Sequence, residues 1–192
     1  FERPVRHMRE YLEILMPLVR GESVSYQGET LTFNGGVQIP GAPPFPVLVA
    51  ALGPKMLELA GSRADGTITW MTGPDTLASH TIPTLTKAGE QAGRPAPRVA
   101  VGLPVCVTDD ADAARERAGK VFAVYDDLPS YKAMLDREGA GGPGDVAIVG
   151  DEAAVTRGIE RLRDIGVTDF AAVEYGARDI RPRTRELLRT LL

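Results

Sequence analysis

Pro46-Val-Leu-Val-Ala-Ala-Leu-Gly-Pro-Lys-Met-Leu-Glu-Leu-Ala-Gly61 runs an apolar strand, Val47–Leu52, straight into a Gly-Pro-Lys turn that opens a helix over about Pro54–Arg63. Backbone amides at a helix start lack intrahelical partners and carry the positive end of the helix dipole, so such a turn is a place to hold a phosphate or carboxylate. Pro54 suits the first helical position, Gly53 lets a ligand approach the backbone, and Lys55 adds a cation. An ordinary strand-to-helix connection has the same appearance, and this stretch alone does not separate the two.

The next segment repeats the pattern. Arg63-Ala-Asp-Gly-Thr-Ile-Thr-Trp-Met-Thr-Gly-Pro74 reads as a second strand, Thr67–Thr72, ending in another Gly-Pro turn. Two consecutive strands then end in loops on one side of a sheet. In parallel α/β folds, ligands bind on the side where the strands end. A helix over about Pro74–Ala92 follows, with Pro83 expected to kink or divide it. Arg98–Thr108 is a third strand. Asp109, Asp110 and Asp112 then lead into a helix, where acids favour the amino end. Beyond it, Tyr131, Met134 and Leu135 sit in helical sequence before Gly139-Ala-Gly-Gly-Pro-Gly144, which lacks G-x-G-x-x-G spacing and reads as a mobile connection. A helix capped by Asp151 and stopped at Gly166, a strand Asp169–Tyr175 and a last helix Pro182–Leu192 complete the alternation.

Upstream, a helix carries Val5, Met8, Tyr11, Leu12, Leu15 and Val19 as a one-sided stripe. Ser23–Phe33 alternates around Gln27-Gly28-Glu29-Thr30 as a hairpin, about residues 23–36 in all. The Pro/Gly-rich link Ile39–Pro46 has no periodicity. Strand and helix alternate four times, which argues a parallel sheet returned by helices. Periodicity alone leaves open the choice between a doubly wound sheet and a barrel. A whole (β/α)₈ barrel needs about 250 residues and eight strands, of which this chain offers half.

Composition narrows the function. The chain has 192 residues, 43 % hydrophobic and 25 % charged, with net charge −4. No apolar run approaches the roughly 20 residues of a membrane span. The Lys and Arg residues are scattered, so a nucleic acid partner is not expected. Cys106, flanked by Val105 and Val107, reads as a buried apolar residue rather than a thiol nucleophile. His7 and His80 have no cysteine or histidine partner at ligand spacing, and no metal site is expected. Phe1 is not a translation start, no signal peptide is recognisable, and a cytoplasmic chain with residues missing upstream is expected.

Phe1-Glu-Arg-Pro-Val-Arg-His-Met-Arg-Glu-Tyr-Leu-Glu-Ile-Leu15, the Tyr26-x-Gly-Glu29 hairpin, Val49–Gly61, Ala64–Pro74 and Leu103-Pro-Val-Cys-Val-Thr-Asp-Asp110 together resemble the carboxyl-terminal half of a bacterial luciferase-like oxidoreductase. Within that family they are similar to the branch that uses the deazaflavin coenzyme F420. The resemblance implies a TIM (β/α)₈ barrel, residues 1–192 forming its carboxyl-terminal part with the hairpin on its rim. It implies a coenzyme whose phosphate-bearing tail approaches Leu52, Gly53, Pro54 and Lys55. Trp70, Met71 and Thr72 would line the mouth, with Gly73 giving backbone room. Trp70 reads equally as a core aromatic. Glu174, at the end of the last strand, either faces the mouth or lies in solvent.

The implied activity is hydride transfer between F420 and a small organic substrate. The alternatives are an FMN-dependent luciferase-like monooxygenase and a non-catalytic half-barrel that only binds an anion or partner. In this family, residues touching the ring and substrate come largely from the first strands, so no catalytic residue is assigned. The fragment alone is expected to be inactive, with an exposed edge strand, and a homodimer is the expected assembly.

Overall fold

The computed structural model describes residues 2–38, 40–178 and 180–191. In chain order the elements are α1 Pro4–Val19, β1 Ser23–Gln27, β2 Thr32–Gly36, β3 Leu48–Ala50, α2 Pro54–Arg63 and β4 Gly66–Trp70. Then come α3 Pro74–Thr76, a π-helical turn Leu77–Thr81, α4 Ile82–Gln91, β5 Arg98–Val107, α5 Ala111–Val121, α6 Val124–Asp127 and α7 Pro129–Glu138. A 3₁₀ turn Pro143–Val146, β6 Ile148–Gly150, α8 Glu152–Asp164, β7 Asp169–Glu174 and α9 Arg181–Thr190 complete the chain. The expected helix and link ends at Phe1, Ile39 and Leu192 lie outside the described residues. The chain separates into two units. One comprises the residues up to Thr67 with Thr84–Pro97, the other Ile68–Pro83 with Arg98 onward.

In the first unit, α1 packs on the hairpin through a carboxylate rather than through its apolar stripe alone. Glu10 is buried and accepts hydrogen bonds from the amides of Glu29 (3.1 Å), Thr30 (2.8 Å) and Leu31 (2.9 Å) and from Thr30 Oγ1 (2.8 Å). Desolvation pushes this carboxyl up, yet the four donors outweigh it and hold it at about 2. α1 thus buries Glu10 and Ile14 on one side and Leu12 on another, while Tyr11, expected inside, is exposed. β1 and β2 pair antiparallel from Ser23↔Gly36 to Gln27↔Thr32. The helix α2 buries Leu57, Leu59 and Ala60, and Gly61 lets it approach α4, whose Leu85 carbonyl and Ala88 methyl fill the space a Cβ would take. Asp65 joins the start of β3 to the end of α2. It accepts from the Val47 amide at 2.8 Å and from Arg94 Nη2 at 3.0 Å.

The second unit is built on β5, buried at every position after Arg98. β7 pairs parallel along one edge, Ala100↔Asp169 to Val105↔Glu174. β6 pairs parallel at Val105↔Ile148 to Val107↔Gly150. The Met71 amide after β4 donates to Gly102 O, and the Thr108 amide to Gly150 O, so even-numbered residues of β5 turn their backbone groups toward β4 and then β6. Pro104 is one of these. It sits after the contact with Met71 and before β6 begins, where a missing N–H interrupts no ladder bond. On one face Val105 and Val107 meet Val155, Ile159 and Leu187; on the other Cys106 meets Ala114, Ala118 and Tyr175. Burial on both faces explains a near-continuous apolar run.

Three details depart from the sequence expectations. Ile148–Gly150 is a strand, too short for alternation to reveal. At Pro83, expected to kink or divide its helix, the interruption takes the form of a π turn, Leu77–Thr81, after which α4 begins at Ile82. The glycine run is packed rather than a free connection. Gly139 ends α7 at φ 75°, the Gly141 amide donates to Asp145 Oδ2 at 2.7 Å, and Gly144 lies against the Arg115 carbonyl.

Candidate functional site

The two Gly-Pro turns share a backbone geometry. Gly53 (φ −78°, ψ 154°) precedes Pro54 at the start of α2, and Gly73 (φ −74°, ψ 165°) precedes Pro74 at the start of α3; neither helix has a side-chain cap from its N-cap residue. Their surroundings differ.

The first turn, in the first unit, is open. Gly53, Pro54 and Lys55 are exposed and Leu52 is half-buried. Among the described residues, its chain neighbours aside, no atom lies within 4 Å of where a Cβ on Gly53 would stand. Gly53 O accepts from the Met56 and Leu57 amides at 3.1 and 3.0 Å, which starts the ten-residue helix and leaves its first turn accessible. Lys55 makes no ion pair among the described residues.

The second turn, in the second unit, is filled. Met71 is fully buried and is the non-glycine residue with positive φ (54°) among the described residues. Thr72 is also fully buried, and its Oγ1 donates weakly to Trp70 O at 3.4 Å. The Glu138 carboxylate occupies the position that a Cβ on Gly73 would take. It accepts from the amides of Asp75 (3.0 Å) and Thr76 (2.6 Å). The backbone room at Gly73 that the sequence suggested for a ligand is thus used by the protein's own acid.

Trp70 packs edge-on against Phe122 (5.7 Å between centroids) and Tyr125 (5.9 Å), while Tyr125 meets Tyr131 at 4.8 Å. Gly102 makes room for the indole: a Cβ there would lie 2.9 Å from Trp70 Cε3. The indole N–H is buried and has no hydrogen-bond partner among the described residues. Such an unmet donor is costly and marks where a ligand acceptor would be welcome. Glu138, Phe122 and Tyr125 were not singled out from the sequence. They sit 50 or more residues beyond Trp70, and no local spacing joins them.

Two features carry no part of the site. Glu174 is tied to Arg185 in an ion pair. A groove of about 640 Å³ in the first unit lies among Arg9, Arg20, Arg63 and Arg94, with Arg63 3.7 Å from Glu13 and Arg94 paired to Asp65. Arg20, Arg63 and Arg94 stand at or just after helix carboxyl ends, where cations complement the dipole. Among the described residues no group of His, Cys, Asp and Glu is placed to hold a metal ion, and no helix is long and apolar enough to cross a membrane.

Residues 1–173 match the luciferase-like monooxygenase family. This chain belongs to that family. It is 34 % identical over 145 residues to the 5,10-methylenetetrahydromethanopterin reductase of Archaeoglobus fulgidus, covering 72 % of this chain and 42 % of that enzyme. The chain spans less than half the length of this curated relative. Among solved structures it is similar to the coenzyme F420-dependent tetrahydromethanopterin reductase of Methanopyrus kandleri (TM-score 0.74, 23 % identity, 96 % of this chain and 61 % of that one). It is also similar to the oxygenating constituent of 3,6-diketocamphane monooxygenase from Pseudomonas putida, in complex with FMN (TM-score 0.62, 18 % identity, 94 % and 60 %). The fold class is accordingly α/β, part of a TIM barrel of luciferase-like type.

Proposed function

We propose that the protein is an oxidoreductase that moves a hydride between coenzyme F420 and a small organic substrate. The observation that carries this reading is the open start of α2, with Lys55 in no ion pair among the described residues, in a family whose relatives include F420-dependent reductases. In this reading Leu52, Gly53, Pro54 and Lys55 hold the phosphate-bearing tail: the helix-start amides donate, the glycine admits close approach, and the ammonium supplies charge. In the second unit, taken by itself, Trp70 offers its indole N–H to a ligand acceptor, with Met71, Thr72 and Gly73 beside it at the end of β4. When bound, F420 supplies the hydride-carrying carbon, and the protein's share is to bind, orient and exclude water. A second copy of the chain is the partner proposed for assembly, which sedimentation would reveal as twice the monomer mass.

Titrating oxidised F420 into the protein while following its absorbance tests the reading. Saturable binding that weakens about tenfold in Lys55→Ala is expected. Undiminished binding in that variant would remove the tail assignment. The likeness to an FMN complex supports a second reading, a flavin monooxygenase. Preferential FMN binding with oxygen uptake would favour it, and binding of either coenzyme without turnover would favour a half-barrel that only binds.

A further inference from the structure

We propose that Glu138 is a latch that holds α6 and α7 across the indole of Trp70, and that its release uncovers the ring to a small hydrogen-bonding substrate. The substrate clause rests on the oxidoreductase reading; the latch does not.

The aromatic rings that meet Trp70 among the described residues come from one segment. Phe122 caps the end of α5, Tyr125 lies on α6, and Tyr131 on α7 backs Tyr125. Phe122 is held by the core, edge-on to Tyr175 at 5.9 Å, but beyond it the segment is weakly anchored. None of the α6 residues is buried, and Val121, Val124 and Leu128 expose 59, 57 and 40 % of their surface. The helices break at Leu128 before Pro129, and α7 ends in the left-handed Gly139. What ties α7 down is its last turn. Glu138 takes the amides of Asp75 and Thr76, Thr76 Oγ1 donates to Met134 O at 3.3 Å, and Met134 and Leu135 are buried. Elements with few buried contacts are those that open locally.

The closed arrangement also leaves something unpaid. In it the Trp70 N–H is buried and has no acceptor among the described residues. A carbonyl or hydroxyl oxygen reaching that proton gains a bond that the closed state lacks, so such a ligand binds the open form better and shifts the population toward it. Gly73 is part of the same device, because only a residue without a Cβ leaves the carboxylate its seat.

Trp70 is the sole tryptophan of the 192-residue chain, so quenching of its fluorescence by acrylamide reads the latch directly. Glu138→Ala removes two charge-assisted bonds and is expected to raise the open fraction about tenfold or more. Gly73→Ala should reach the same state by expelling the carboxylate, and the double variant should go no further than either single one. Glu138→Gln, which keeps one acceptor and the side-chain volume, should fall between; it also decides the matter if the alanine variants do not fold, as judged by far-ultraviolet circular dichroism. Parental quenching in folded Glu138→Gln and Glu138→Ala would overturn the proposal, as would effects of Glu138→Ala and Gly73→Ala that multiply in the double variant. Because no coenzyme is present, the outcome is independent of the F420 titration.

Discussion

Gly53-Pro54 and Gly73-Pro74 present the same dipeptide, the same extended glycine and the same helix start, yet one turn is empty and exposed while the other is filled by a glutamate from 65 residues downstream. The dipeptide dictates backbone shape. What occupies the resulting amide pocket is decided by the rest of the fold. Helix-start amides favour negative charge in general, and at the second turn the protein supplies it from its own Glu138.

The sharpest way to break this contrast is at Met71, whose positive φ belongs to the filled turn. Met71→Ala should cost about 3 kcal/mol, because it empties a buried site and keeps the backbone strain. Met71→Gly, which empties the site but relieves the strain, should cost about 1 kcal/mol less. The inversion of the usual alanine-over-glycine order is measurable by urea denaturation. Next comes the glycine pair. Gly73→Ala should destabilise by about 2 kcal/mol through loss of the Glu138 bonds, whereas Gly53→Ala, on an equivalent backbone with open space beside it, should change stability by less than about 0.5 kcal/mol. Equal effects would erase the distinction between the turns.

Glu10 sharpens the comparison from another direction, since it too is a carboxylate that collects backbone amides. Its folded-state pKa lies near 2, below the ordinary 4.5, so its contribution to stability is fully present above about pH 4.5 and is lost as pH falls from there toward 2. In Glu10→Gln that part of the acid dependence should vanish, read as a flatter profile of melting temperature against pH over this window. The smallest expected effect is on the open turn. Lys55→Ala should leave the melting temperature within about 2 °C of the parent while weakening F420 binding.

Much of this architecture was legible in the residues, and for physical reasons. Strand-to-helix switches at Gly53-Pro54 and Gly73-Pro74 are written in local backbone preference, as are the Asp110 and Asp151 caps, whose Oδ1 atoms accept from the Ala113 and Ala154 amides. Helix α2 keeps the predicted bounds, Pro54–Arg63. Long-range pairings were not legible. The inward turn of Glu10 against an apolar stripe depends on a hairpin 20 residues away. The seat of Glu138 and the ring contacts of Trp70 depend on a segment with weak periodicity. Ile148–Gly150 becomes a strand only because Val105–Val107 offers it an edge. Of the candidate site, the sequence disclosed the two turns and the tryptophan but not the groups that close over the second.

Pro104 bears on what happens before the fold is complete. Val99–Val107 is a nine-residue run of apolar side chains broken only by Gly102 and Pro104, the kind of segment that stacks with copies of itself when unfolded chains meet. Because the proline withholds a donor on one edge, such stacks cannot propagate in register through it. In the finished sheet the same residue costs nothing, since it faces the gap between two neighbours. The strand most hazardous to the nascent chain thus carries its own safeguard against fibre growth, placed at the position where the native ladder has no use for an amide.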